Sequence, residues 1–348
     1  MNAVAQVIEG QYFRDLMDQP RALQATHAWL GTAGRLAEVR RFLGVRDWRR
    51  IVLTGMGSSY HTLHPLNLAL IAAGRAPVMI ETAELVHYAM PLCDADTLVI
   101  AVSQSGGSAE TVRLLELNRH ATVLGVTNTA DSALARGAGL ALLTQAGPEF
   151  SVSCKTYVTG GMALQWLAAI LSDQDADARL AQLAPAAELA ARYLLGWRAY
   201  TKDLSDRLRG VRHLFIAGRG ASLAAVGTGA LIIKEAARLH AEGMSSAAFR
   251  HGPMEMMQPD MLVAIYSGDA ATAPLNQRLA RELRARGGRC ELIGDGADLP
   301  AFQLQDCTPP LRPISEVLPM QMLTLALAGL AGHEAGFFER ASKITDTE

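Results

Sequence analysis

Three serines, a glutamine and two glycines make up one hexapeptide, Ser103-Gln104-Ser105-Gly106-Gly107-Ser108. It follows an apolar, β-branched run at 97–102 and precedes a helical pattern that opens at Ala109. Unpaired backbone N–H groups at a helix start, joined by serine hydroxyls on a glycine-permitted turn, form an uncharged cradle for a phosphate. The same residues also suit a serine-rich turn that only caps a helix, and the hexapeptide alone leaves both readings open. A second loop, Gly55-Met56-Gly57-Ser58-Ser59, follows the preceding strand pattern. Both loops then open at the carboxyl end of one parallel sheet, where α/β folds take their ligands. A dinucleotide turn would need a third glycine and an acidic residue after a second strand, and both are missing here. No nicotinamide cofactor is expected. Nor is a metal, since Cys93, Cys154, Cys290 and Cys307 are far apart and form no ligand spacing.

The elements that must hold these loops occur twice. Residues 51–70 resemble 214–233, each an apolar run, a Gly-x-Gly-x-Ser turn and a helical stretch. Gly55-Met56-Gly57-Ser58-Ser59 is matched by Gly218-Arg219-Gly220-Ala221-Ser222, and Asp96-Thr97-Leu98-Val99 by Asp260-Met261-Leu262-Val263. A repeat this long means a duplicated domain and not a solenoid. Strand runs at 97–102 and 122–126 alternate with helical stretches at 109–119 and 275–286, which predicts parallel sheets covered by helices on both faces. The expected fold is α/β, two tandem αβα sandwiches of flavodoxin-like type. Its parts are a helical segment 1–44, a first domain 45–173, a helical connector 174–209, a second domain 210–335 and a tail 336–348. Within 11–43, one or two amphipathic helices are expected, with a break at Asp18-Gln19-Pro20 and Pro20 near a helix start. The stretch 180–197 reads as helix joining the two copies.

A chain of 348 residues, half of them hydrophobic, can bury two cores. Its 32 basic and 34 acidic residues leave a net charge of -2, so no global field favours nucleic acid or an anionic membrane. Any bound anion must be held locally. The scattered cysteines suit a reducing cytoplasm, residues 1–9 lack a signal pattern, and apolar runs such as 323–330 read as too short to cross a bilayer.

With Gly57-Ser58-Ser59-Tyr60 and Ser103-Gln104-Ser105-Gly106-x-Ser108 in place, the sequence resembles the SIS (sugar isomerase) domain family. The second half is similar to the isomerase part of glucosamine-6-phosphate synthases, through Gly218-Arg219-Gly220, Lys234-Glu235, His240-Ala241-Glu242 and His251-Gly252-Pro253. The resemblance covers about residues 45–348. It implies that Ser58, Ser59, Ser103, Gln104, Ser105 and Ser108 hold a sugar phosphate. Gly57, and Ser153 and Cys154 of the segment that begins at Glu149, are implied as further sugar contacts.

Moving a proton between C1 and C2 of an open-chain sugar requires a base beside the sugar and a group that opens the ring. By the resemblance Glu235 is the base and His251 opens the ring, reaching the site from a neighbouring subunit, which implies a homodimer. Lys343, in the tail, is implied to fold over the sugar and form a Schiff base with its C2 carbonyl. Each has a plainer reading: a solvated helix carboxylate, a structural histidine before Gly-Pro, a terminal lysine in water. Glu235 follows the apolar stretch Ala230-Leu231-Ile232-Ile233, where partial desolvation would raise a carboxylate's pKa.

Departures from the synthases are specific. Ile232 stands where they carry a lysine three residues before the glutamate, Ala248 where they carry an acid, and Phe338-Glu339 where their tail has Pro-Arg. The segment 149–157 keeps the acidic start but aligns only with a gap. The synthases also begin with a glutaminase domain and an N-terminal cysteine, where this sequence begins Met1-Asn2. The expected activity is therefore an isomerase that works with free ammonia, most simply deaminating glucosamine-6-phosphate to fructose-6-phosphate. The alternatives are a fructosamine-6-phosphate deglycase, a plain aldose–ketose isomerase, and a non-catalytic sugar-phosphate sensor. A DNA-binding regulator fits poorly, since 11–43 carries Asp15, Asp18 and Glu38 among its arginines and has no clear turn.

Overall fold

The computed structural model describes residues 6–345 and 347. The chain divides into two compact units: one of 21–148, 155–187 and the tail from Ser342, the other of residues up to Pro20, 149–154 and 188–341.

The first unit holds five parallel strands, β1 (Arg50–Gly55), β2 (Val78–Glu81), β3 (Thr97–Val102), β4 (Thr122–Thr127) and β5 (Leu140–Leu143), in the order β2-β1-β3-β4-β5. Every residue of β3 is buried, because helices cover both faces of the sheet. This is why its sequence, Thr-Leu-Val-Ile-Ala-Val, runs apolar without alternating. Val52, Val99, Ala101 and Val123 pack there with Leu85 and Leu114 from the helices. Gly55 and Val102 end their strands in register. The chain leaves β1 toward β2 on one side and returns to β3 on the other, so the loops after β1 and β3 part around a crevice at the carboxyl edge.

The second unit repeats the plan with β6 (His213–Gly218), β7 (His240–Ser245), β8 (Met261–Tyr266) and β9 (Arg289–Ile293), parallel and in the order β7-β6-β8-β9. Phe215, Val263, Ile265, Leu279, Leu283 and Leu292 form its core. The apolar run 323–330 proves to be the end of a longer helical stretch, Arg312–Ala331, of 20 residues. By length and composition that stretch could cross a bilayer, which corrects the reading from the shorter run. It is 83% buried inside the fold, so packing accounts for its apolar character.

The N-terminal segment forms three helices where one or two were expected: Gln11–Met17, Gln19–Leu30 and Arg35–Leu43. The first break falls at Asp18, within the expected Asp18-Gln19-Pro20, and Pro20 sits in the first turn of the second helix. The further break falls at Gly34, whose φ of 86° a side chain would resist. Gln11–Met17 belongs with the second sheet, where Tyr12 Oη meets Thr324 Oγ1 at 3.2 Å and Gln19 and Gln321 exchange amide hydrogen bonds of 2.8 and 2.9 Å. All four residues are buried. The stretch 180–197 is helical but interrupted at Pro185 and Gly196, between Ala176–Leu183, Ala186–Leu195 and Trp197–Leu208. None of the four cysteines forms a disulfide, and burial pushes the thiols of Cys93 and Cys307 up to about 11 and that of Cys290 to about 12. These three thiols are therefore unreactive at neutral pH.

Glu316 lies just before the Leu318–Ala331 helix and is 1% exposed. It accepts from Ser222 Oγ at 2.9 Å and from Arg312 at 3.4 Å. Burial outweighs these partners and lifts its carboxyl from 4.5 to about 7. A raised value means that the folded chain holds this proton more tightly than the unfolded chain does. The stability it contributes is therefore full below about pH 4.5 and is lost as pH rises through about 7, a swing of roughly 3 kcal/mol. Glu316→Gln, which keeps the acceptor oxygen without the charge, should melt a few degrees higher at pH 8 and show a flatter pH dependence. Melting curves from pH 5 to pH 8.5 check this. An unchanged slope would show that the ionised form costs nothing here.

Candidate functional site

The serine loop is fixed from both sides. Ser103 N donates to Val126 O, and Gln104 O accepts from Asn128 N and Thr127 Oγ1, which ties the loop to the end of β4. Gly106 has a φ of 62°, and a Cβ there would lie 2.2 Å from Ser132 Oγ and 2.8 Å from Thr127 Oγ1. Only glycine fits. Ser103 Oγ accepts the Gly106 amide at 3.1 Å and Ser105 Oγ accepts the Gly107 amide at 3.2 Å. In both cases the hydroxyl proton remains available to a ligand.

Ser108 occupies the position before the Ala109–Leu117 helix, yet its side chain makes no capping bond and meets Thr111 Oγ1 at 2.9 Å. The simple cap reading of the hexapeptide therefore does not describe this turn. Instead the Ala109 amide donates to Thr345 O at 3.0 Å, bringing the C-terminal tail onto the loop. Lys343, two residues earlier, is half-buried. At the end of β1, Gly57 (φ 53°) leads into the short Ser58–His61 turn, with Ser58 buried and Ser59 half-buried. Thus one unit carries Gly57, Ser58, Ser59, Ser103, Gln104, Ser105, Ser108 and Lys343.

The other unit carries Glu235, His251, Ser153 and Cys154. Glu235 is half-buried in the last turn of the Leu223–Ala237 helix. Its charge reaches Tyr12, a fully buried phenol held well above its usual pKa by burial first, then by Cys154, Glu235 and Glu149. Glu149 Oε1 accepts the Cys154 amide at 2.9 Å, so the acidic residue at the start of that segment shapes its loop. Cys154 is completely buried, whereas Ser153 is half-buried. His251 ends the short Ser246–Arg250 helix and is exposed, with its amide bonded to Ala248 O at 2.9 Å. Gly252 follows with φ 131°.

Thr111, Thr127 and Ser132 went unnoticed in the sequence, although they set the shape of the serine loop. Only Ser132 carried a signal, as a residue able to cap the Ala133–Gly137 helix, which it does through Ala135 N.

The model of the SIS domain matches residues 44–170 and 207–328. The glutamine–fructose-6-phosphate aminotransferase (isomerizing) of Pyrococcus horikoshii is 30% identical over 342 residues, covering 92% of this chain and 55% of that protein. The chain thus spans about half the length of the curated relatives it matches. Among solved structures, the C-terminal domain of glucosamine-fructose-6-phosphate aminotransferase from Francisella tularensis superposes with a TM-score of 0.83 at 21% identity, covering 94% of this chain and 98% of that one. Glucosamine-6-phosphate deaminase from Thermotoga maritima gives 0.75 at 18% identity, covering 93% and 96%. At these identities the superpositions establish the fold.

Proposed function

The chain belongs to the SIS domain family, carrying the domain twice, and from that premise we propose that it isomerises a phosphorylated amino sugar, converting glucosamine-6-phosphate and water to fructose-6-phosphate and ammonia. The observation that carries the reading is the Thr345–Ala109 bond, which brings a lysine-bearing tail onto a loop with hydroxyl donors to spare. A phosphate grip next to an amine suits a substrate whose reacting carbon exchanges nitrogen. Ser58, Ser59, Ser103, Gln104, Ser105 and Ser108 hold the phosphate, with Gly57, Ser153 and Cys154 at the sugar. His251 assists ring opening. Glu235 takes the C2 proton and returns it at C1, leaving an imine at C2. Water adds to that imine, ammonia leaves, and the ketone remains. Lys343 offers a second route, exchanging with ammonia to form its own C2 imine before hydrolysis. The exposure of His251 supports a homodimer in which each copy lends this residue to the other. Four cysteines outside any disulfide fit residence in a reducing cytoplasm.

Turnover in D2O tests the proton step: the ketose product should carry deuterium at C1. A product free of deuterium, formed at a rate that Glu235→Gln leaves unchanged, would remove this mechanism.

The phosphate grip predicts a different kinetic signature. The loop binds a group that does not change during reaction, so it holds ground and transition states alike. Ser105→Ala and Ser108→Ala each remove a hydrogen bond to a charged group, about 1.5–3 kcal/mol. The Michaelis constant should rise roughly 10- to 150-fold with turnover nearly unchanged. Steady-state kinetics check this, and unaltered Michaelis constants in both variants would place the phosphate elsewhere.

A further inference from the structure

The second sheet carries its own version of the phosphate loop, and its chemistry has changed. Six residues join β3 to the Ala109–Leu117 helix, and six, Ser267-Gly268-Asp269-Ala270-Ala271-Thr272, join β8 to the Ala273–Ala285 helix. Position by position Ser103 corresponds to Ser267, Ser108 to Thr272 and Ser105 to Asp269. In the first loop Ser105 turns a hydroxyl toward the helix start. In the second, Asp269 Oδ1 accepts from Thr272 N at 3.0 Å and from Thr272 Oγ1 at 3.2 Å, while its carbonyl accepts from Ala273 N at 2.8 Å. At the helix start the Thr272 amide is thus taken by a carboxylate of the chain and the Ala273 amide by a backbone carbonyl.

The other groups at this edge are committed as well. Ser222, the counterpart of Ser59, donates to Glu316, whose second oxygen Oε2 is buried without a hydrogen-bond partner. Arg312 bonds Gly268 O at 2.7 Å and Glu316 at 3.4 Å, and Arg219 Nε bonds Asn276 Oδ1 at 3.2 Å. Asn276 in turn donates to Ser267 O at 3.1 Å, and Ser267 Oγ accepts the Asp295 amide at 2.9 Å. Asp269 Oδ2 lies only 3.2 Å from where a Cβ on Gly220 would be, so the carboxylate also closes the gap to the loop after β6.

We propose that Asp269, backed by Glu316, is a built-in anion that stands in for a ligand phosphate and closes the second sheet's edge, so that each chain takes one sugar phosphate and not two. The inference rests on reading the Ser103–Ser108 loop as the phosphate site. The Asp269 carboxylate repels a dianion, and bonds to Asp269 occupy the Thr272 and Ala273 amides at the helix start. The duplication has thereby been divided: one edge binds, the other is locked as scaffold beneath the helix that carries Glu235.

Titration calorimetry with glucitol-6-phosphate, which has no carbonyl and cannot turn over, tests this. The wild type should bind one equivalent per chain. Asp269→Ser together with Glu316→Gln should bind two, since serine can still cap the helix without the charge. Conversely Ser105→Asp should abolish binding while Ser105→Ala retains a measurable affinity, because aspartate there would install the same plug. Circular dichroism establishes that each variant is folded. Two equivalents in the wild type, one in the folded double variant, or equal losses in Ser105→Asp and Ser105→Ala would each overturn the plug. Full-strength binding by both Ser105 variants would instead show that the first loop is not the phosphate site, a failure of the underlying reading.

Discussion

Glu235→Gln should lower turnover by about 10² to 10⁴, the usual contribution of a general base, while leaving the Michaelis constant close to that of the wild type. The amide preserves shape and hydrogen bonding but cannot accept the C2 proton. Its half-buried position near the end of the Leu223–Ala237 helix, within electrostatic reach of Tyr12, argues that the exchange will be tolerated structurally. Steady-state rates, read beside a melting curve, decide the matter. A variant within about tenfold of wild type falls below the range for a lost base and would return Glu235 to a structural role.

The second large effect is a recovery. Glu235→Gln and His251→Ala proteins, each nearly inactive alone, should regain about a quarter of wild-type activity when unfolded and refolded together in equal amounts. Random pairing makes half the dimers hybrid, and each hybrid has one site with both residues intact if His251 serves the neighbouring copy. The exposed position of His251 on a short helix followed by Gly252 is what a residue lent across an interface requires. Hybrid dimers that form, as shown by differential tagging, and yet stay inactive would mean that His251 acts within its own chain.

Much of this arrangement was legible because local chemistry and tertiary structure agree. The unbroken apolar run of β3, the glycines after β1 and the helix start at Ala109 each followed from residue type and were found in place. The duplication was visible from the paired Gly-x-Gly turns. Other features depended on contacts between distant residues. Nothing local places Tyr12 beside Thr324, or splits the N-terminal helices between two units at Pro20. Glu316 looks in sequence like an ordinary acid at the edge of an apolar run, and only its burial, which outweighs the bonds from Ser222 and Arg312, gives it a carboxyl near 7. Ile232, where the resemblance led one to expect a lysine, is fully buried, so that position belongs to the core here. The serine loop lay between these cases: the hexapeptide announced an anion cradle or a cap, and the Ser108–Thr111 contact removes only the simple cap.

The central claim is that this chain releases nitrogen from C2 of an amino sugar phosphate. Incubation with glucosamine-6-phosphate, following ammonia and fructose-6-phosphate together, tests it most directly. The account predicts that both appear at equal rates, with the sugar consumed in the same proportion. Conversion of a sugar phosphate without ammonia, ammonia only from a fructosamine-6-phosphate supplied in parallel, or binding without any turnover would contradict it.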